Sequence, residues 1–294
     1  MIANETSANK TAADKTAADK ITASLRQLSG VLVLVGAGKM GGALLEGWLR
    51  LGLDPERIAV LEPQPAPSIV ALTARGLRLN PDLATLRDVA AVILAIKPQS
   101  AAAIVPDLSR LVATRTVVIS IMAGRTLQFL ERALARPCAL VRAMPNTPAA
   151  IGRGITVAVP HRADAGQRQL ADNLLAATGS VEWIEDEAQM DAVTAVSGSG
   201  PAYVFLLAEA MAQAGVAAGL PAALASRLAR ETVAGSGELL HRSDLEAAVL
   251  RQNVTSPGGT TAAALAVLMG EDGLAALLTK AILAATARSR ELAG

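Results

Sequence analysis

The chain has one cysteine, two histidines and no surplus of either charge, with 27 basic side chains against 26 acidic ones. The lone thiol, Cys138, excludes an internal disulfide and points to a reducing compartment, the cytoplasm. It follows Pro137 at the head of an apolar run and reads as a buried structural thiol. A net charge of +1 gives no electrostatic footprint for nucleic acid or for an anionic membrane. His161 and His241 lie outside every motif and read as surface residues, and no metal site is expected. Hydrophobic residues make up 52% of the chain, yet Glu, Asp, Arg, Gly or Pro breaks each apolar stretch before it reaches membrane-spanning length. The surplus apolar surface is better explained by helices packing between subunits than by lipid.

What is present divides into three parts, 1–29, 30–186 and 187–294. The first carries KTAAD twice, at Lys10–Asp14 and Lys15–Asp19, in a segment rich in Thr, Ala and Ser. It lacks the apolar core of a signal peptide and contains acidic residues that transit peptides avoid. A dispensable, disordered extension is expected, turning helical near its end.

The second part reads as a doubly wound α/β unit. Val31–Val35 (VLVLV) has the unbroken apolar pattern of a parallel strand buried on both faces. Gly36-Ala37-Gly38-Lys39-Met40-Gly41 follows directly, a G-x-G-x-x-G, and a helical pattern runs on through Leu51. The first Gly permits a tight turn, the second lets backbone approach a pyrophosphate, and the third lets helix and strand pack closely. A bare glycine fingerprint is weak evidence; here strand and helix flank it as dinucleotide binding requires. A second strand, Ile58–Leu61, ends at Glu62, which falls 21 residues past Gly41. An acidic side chain there accepts the adenosine ribose hydroxyls and repels a 2′-phosphate, which argues for NADH; the other reading is that Glu62 points to solvent. Ala91–Ile96 is a further strand running into Lys97-Pro98, and Val117–Ile121 leads into Met122-Ala123-Gly124, small residues that admit a flat ring. Leu140–Ala143 precedes Met144-Pro145-Asn146-Thr147-Pro148, where Asn146 is either a structural Asx turn or a ligand contact. Strands at Ile155–Val159 and Val181–Ile184 close the unit, with a helix near 163–178 between them.

Beyond Glu185 the pattern turns wholly helical, over Ala188–Val216, Pro221–Leu240, Asp244–Arg251, Thr261–Met269 and Leu274–Leu292. Ser197–Tyr203 (SGSGPAY) would interrupt the first of these, at up to about 1 kcal/mol for each Gly, and Pro201 suggests a kink. Asn253–Thr261 (NVTSPGGTT) joins two helical patterns. Pro257 fixes one φ angle, Gly258 and Gly259 free the next two, and a helix starts behind them. Free amides at such a start bind anions, so this loop is expected to hold a small carboxylate.

Taken together, GAGKMG at Gly36–Gly41, AIKP at Ala95–Pro98, RAMPNTP at Arg142–Pro148, AVSGSGPAY at Ala195–Tyr203 and NVTSPGGTT resemble the pyrroline-5-carboxylate reductase family. The resemblance runs from about Val31 to Leu292. It implies a Rossmann-type domain followed by an all-helical dimerisation domain, interlocked homodimers and larger rings built from dimers. It also implies reduction of the C=N bond of 1-pyrroline-5-carboxylate by NAD(P)H to give L-proline, the last step of proline synthesis. Carried over by position, Val35 and Gly36–Gly41 would contact the pyrophosphate, and Ala95, Ile96, Lys97 and Ala123 would line ribose and nicotinamide. Asn253 and Glu187 would also fall on cofactor-binding positions. Ser256, Gly258, Gly259, Thr260 and Thr261 would hold the substrate carboxylate, with Thr261 near the ring nitrogen as orienting group or proton relay. Family habit favours NADPH, whereas Glu62 stands where NADPH-using members often carry a hydroxyl or Asn.

A β-hydroxyacid dehydrogenase would share the plan but needs a lysine acid on its helical domain. None occurs between Lys97 and Lys280. A reductase of a related cyclic imine carboxylate, and a non-catalytic NAD(P)H-binding paralogue, remain as alternatives.

Overall fold

A computed structural model describes residues 19–293. The KTAAD repeat lies almost wholly outside that range. Residues 19–26 are helical (α1), and Leu25 and Leu28 are buried in the same core cluster as Trp48. Ser24 accepts a hydrogen bond from Asn173 at 2.7 Å. The packed chain therefore begins about ten residues before the boundary at 30 that the sequence suggests; two leucines in a Thr/Ala/Ser-rich segment carry too little pattern to announce it.

One compact unit comprises residues 20–198 and the C-terminal stretch from 285. In chain order it runs β1 (Val31–Val35), α2 (Lys39–Arg50), β2 (Ile58–Leu61), α3 (Pro67–Ala71), β3 (Arg78–Leu79), β4 (Val89–Leu94), α4 (Ala101–Ile104) and β5 (Val117–Ser120). It continues with α5 (Leu127–Leu134), β6 (Ala139–Met144), β7 (Gly154–His161), α6 (Ala165–Leu175), β8 (Gly179–Trp183) and α7 (Met190–Val193). The eight strands form one sheet in the order β3-β2-β1-β4-β5-β6-β7-β8. Pairing is parallel throughout except between β6 and β7. The apolar run of β1 is explained by this placement. Leu32 and Leu34 face one core with Leu44, Trp48 and Leu174, while Val33 and Val35 face the other with Leu108, Leu130 and Leu134. Alternate side chains of a central strand serve opposite layers, so no polar position is left.

Asp164 caps α6, accepting from the Gln167 N–H at 2.8 Å while the Gln167 side chain accepts from the Asp164 N–H at 3.0 Å. Each end of that capping box satisfies an amide the helix cannot. Cys138 is half-buried, and burial, reinforced by Glu131, pushes its thiol pKa up against the opposing pull of Arg136 and Arg162. A thiol so placed is mostly protonated at neutral pH, in keeping with a structural role.

The second unit spans 199–284 and holds α8 (Gly200–Ala217), α9 (Ala222–Arg242), α10 (Ala247–Asn253), α11 (Thr260–Leu268) and most of α12 (Leu274–Ala293). The compact units part between Gly198 and Ser199, and the end of α12 belongs with the sheet, where Ser289 donates to Asp191 at 2.7 Å. The Gly/Ser interruption takes the form of a π-helical turn over Thr194–Gly198. Pro201 sits in the first turn of α8, where its missing N–H costs nothing, so it opens a helix instead of kinking one. Gly215 lets α8 and α9 approach, since a Cβ there would lie 3.2 Å from the Ala225 Cβ. Phe205, Leu206, Val267, Leu277 and Leu283 are all more than half exposed. A single subunit seldom leaves so much apolar helix surface bare.

Candidate active site

Hydrogen bonds stitch the carboxyl ends of four adjacent strands into one edge. The Gly36 N–H donates to Leu61 O, Ala95 N–H to Val35 O and Ile121 N–H to Leu94 O, at 2.8, 2.8 and 3.0 Å. Strand order reverses between β1 and β4, which is where doubly wound sheets open a crevice for ligand. Gly36–Gly41, Glu62, Ala95–Lys97 and Ala123 all lie along this edge.

The three glycines are needed for different reasons. Gly36 has φ +89°, and a Cβ on it would lie 2.6 Å from Ala95 O. A Cβ on Gly41 would lie 2.2 Å from Gly36 O, so turn and helix could not close together. Around Gly38 a Cβ would meet nothing within 4 Å. Its bareness answers no need of the protein's own packing, and it leaves open the space in which a dinucleotide would lie. Gly38 is also the N-cap of α2 and offers no capping side chain, so the first amides of that helix remain available to an anion. Val35 is buried, Met40 half-buried and Lys39 exposed.

Glu62 turns toward the glycine turn and not away to solvent. Its Oε2 accepts from the Ala37 N–H at 2.8 Å and its Oε1 from the Gln64 N–H at 3.0 Å. A carboxylate can take about four donors, so capacity for two more remains. It borders a cleft of about 650 Å³ lined also by Ala37, Gly38, Gln64 and Ser68, a volume within the range of small-molecule sites. Among the described residues Lys39 is the sole cationic side chain lining the cleft, against Glu46 and Glu62.

Glu187 reaches the same edge but is engaged by the protein. Its Oε1 accepts from the Leu127 N–H and from Arg142 Nη1, each at 2.8 Å. Arg142 is buried, and its side chain is 7% exposed; its charge would be uncompensated without this partner. Glu187 thus ties the start of α5, and with it the loop carrying Ala123, to β6. Asn146 forms no Asx turn, since Pro148 has no N–H to donate; its side-chain oxygen instead accepts from the Ile155 N–H of β7 at 3.0 Å. Lys97 is exposed, and its carbonyl accepts from Ser100 N–H at 3.0 Å.

Asn253 and the residues 256–261 belong to the helical unit. Asn253 is exposed and ends α10. Gly259 N–H donates to Ser256 O at 3.0 Å, closing a turn that Gly258 completes at φ +69°. Gly259 is the N-cap of α11 and has no side chain to satisfy the amides of Thr260 and Thr261. Thr255 spends its hydroxyl on Arg251 O at 2.7 Å. Ser256 and Thr260 are exposed and Thr261 is half-buried. A carboxylate would find bare amides and hydroxyls together here. Among the described residues no group of His, Cys, Asp and Glu could hold a metal, and no helix is long and apolar enough to cross a membrane.

Two residues escaped the sequence reading, Arg142 and Asn80. Asn80 stands before Pro81 at the end of β3, and its side chain pairs with the main chain of Glu62. A two-residue strand shows no periodicity, so nothing in the sequence marks it.

A mostly parallel sheet with a glycine turn at its switch point, followed by helices, is the arrangement of a dinucleotide-binding protein. Residues 31–124 match the family described as NADP oxidoreductase, coenzyme F420-dependent, and residues 187–292 match pyrroline-5-carboxylate reductase dimerisation. The chain is 39% identical over 266 residues to a pyrroline-5-carboxylate reductase of Pseudomonas aeruginosa, covering 89% of this chain and 96% of that one. It is similar to the structure of a pyrroline-5-carboxylate reductase from Coxiella burnetii, with a TM-score of 0.83, 33% identity and coverage of 90% and 99% of the two chains. A Plasmodium falciparum pyrroline carboxylate reductase solved with NADP bound gives 0.75, 28% identity and the same coverage. The chain belongs to the pyrroline-5-carboxylate reductase family.

Proposed function

We propose that this protein reduces 1-pyrroline-5-carboxylate to L-proline with NAD(P)H, using NADH in preference. The observation that carries the reaction is 39% identity to a pyrroline-5-carboxylate reductase in an alignment covering 96% of that relative's length. When bound, the nicotinamide supplies the hydride that the imine carbon accepts. Val35, the turn Gly36–Gly41 and the uncapped start of α2 hold the pyrophosphate. Ala95, Ile96, Lys97 and Ala123 flank ribose and nicotinamide, with Asn253 a further contact. Glu187 serves by bracing the Ala123 loop. The Ser256–Thr261 amides and hydroxyls fix the substrate carboxylate, and Thr261 orients or relays the proton that the ring nitrogen gains. An iminium is already electrophilic, so positioning supplies most of the catalysis. Residues 187–292 build a homodimer, and dimers assemble into a larger ring. A reducing, cytoplasmic setting suits a chain whose single thiol is structural.

The coenzyme preference rests on Glu62. A carboxylate held by two amides at the cleft suits two ribose hydroxyls, and it repels a 2′-phosphate that Lys39 alone would have to balance. Initial rates with 1-pyrroline-5-carboxylate and NADH or NADPH, side by side, are expected to show turnover with both and a higher kcat/KM with NADH. A strong preference for NADPH would overturn the Glu62 argument. No turnover with either would return the chain to the silent-paralogue reading or to another cyclic imine.

A further inference from the structure

We infer that Asn80 is a positioning residue that sets coenzyme preference by holding Glu62 in place; this rests on the Glu62 reading above. The parallel ladder between β2 and β3 pairs Ala59 with Arg78 and Val60 with Leu79, and then runs out. Asn80 turns into the left-handed region at φ 47°, and Pro81, next in line, has no N–H to donate. The side-chain amide of Asn80 takes over from the missing strand. Its Oδ1 accepts from the Glu62 N–H at 2.8 Å, and its Nδ2 donates to Glu62 O at 2.9 Å. The Asn80 N–H meanwhile donates to Val60 O at 2.8 Å. Asn is among the few residues that accept a left-handed backbone readily, and its amide mimics a peptide group. Both main-chain polar groups of Glu62 are therefore fixed, and the two carboxylate oxygens are fixed by Ala37 and Gln64.

Without the clamp, Glu62 would follow the end of the β2–β3 pairing with its main chain unheld, and the two bonds from Ala37 and Gln64 alone would have to keep its carboxylate at the cleft. Ribose recognition and repulsion of a 2′-phosphate would weaken together, because one group supplies both. A purely structural role for Asn80 would change affinity for the two coenzymes alike. The ratio of their affinities separates the two roles.

The experiment is calorimetric titration of NADH and of NADPH, without substrate, into wild type, Asn80→Gly, Glu62→Ala and the double variant. Glycine keeps the left-handed backbone and removes only the clamp. Asn80→Gly is expected to lower the ratio of Kd(NADPH) to Kd(NADH) by about tenfold, the scale of one charge-assisted hydrogen bond. In the Glu62→Ala background the same change should move that ratio less than about twofold, since non-additivity marks residues acting through one another. If Glu62→Ala collapses the ratio and Asn80→Gly leaves it intact, the role of Asn80 is overturned and the Glu62 reading stands. An equal effect of Asn80→Gly with and without Glu62 overturns it too. A ratio indifferent to Glu62→Ala removes the Glu62 reading and the inference together.

Discussion

Gly41→Ala is expected to abolish measurable dinucleotide binding and to lower stability by about 3 kcal/mol, while Gly38→Ala should lose binding with the fold intact. The added methyl of Gly41→Ala would lie 2.2 Å from Gly36 O and 3.1 Å from the Ala95 Cβ. The first of these is main chain, held by the Gly36 N–H bond to Leu61 O, so no flexible side chain can yield. Either α2 lifts from β1 or the turn opens, and overpacking of this kind sits at the upper end of its usual cost. At Gly38 the methyl meets no protein atom within 4 Å, and the φ of −69° suits an L-residue. The stability change there should stay within about 1 kcal/mol, the effect of a poorer N-cap. Affinity should still fall at least tenfold, because the methyl would occupy the space where backbone approaches a pyrophosphate. Urea unfolding and NADH titration of both variants check this. Intact binding by Gly38→Ala would mean that the open face is not where the coenzyme lies.

The second large effect concerns Thr261. Thr261→Ala is expected to lower kcat about a hundredfold, the lower range for loss of a positioned proton-transfer group, with Kd for NADH changed less than about twofold. Thr261 is half-buried in the first turn of α11, behind an N-cap that offers no side chain. The same turn presents the amides that would take the substrate carboxylate, so a neighbouring hydroxyl is well placed for the ring nitrogen. His161 ends β7, with its Nε2 3.6 Å from Glu131 Oε1, and His241 lies in the last turn of α9. Stopped-flow measurement of NADH oxidation separates the hydride step from product release. Unchanged turnover in Thr261→Ala would remove the hydroxyl from the chemistry and leave positioning by the loop amides alone.

Much of the candidate dinucleotide site is legible in the sequence because it is local. VLVLV, the glycine turn and Glu62 lie within 32 residues, counting from Val31 to Glu62, and each carries its own steric or electrostatic requirement. The 256–261 loop was legible for the same reason, since Pro257, Gly258 and Gly259 specify a turn before a helix. What the sequence concealed depends on distance along the chain. Glu187 meets Arg142 across 45 positions and Leu127 across 60, and an ion pair of that span leaves no local pattern. Asn80 acts through a two-residue strand, too short for an alternation to register. The helix at 19–26 offers only Ile21 and Leu25 as large apolar residues, and it is through Leu25 and the following Leu28 that this segment joins the core cluster that holds Trp48. The Gly/Ser stretch before α8 marks an interruption that the structure bears out, while its π-helical form has no local signal; a Cβ on Gly198 would lie 2.5 Å from the Met144 Cε. Tertiary contacts decide such choices over local propensity.

The central claim is the reaction, and product stoichiometry tests it most directly. The protein is mixed with 1-pyrroline-5-carboxylate and excess NADH, and L-proline is quantified against NADH oxidised. One L-proline for each NADH consumed is the predicted result. NADH that binds without being oxidised, or is oxidised without proline appearing, would contradict the account.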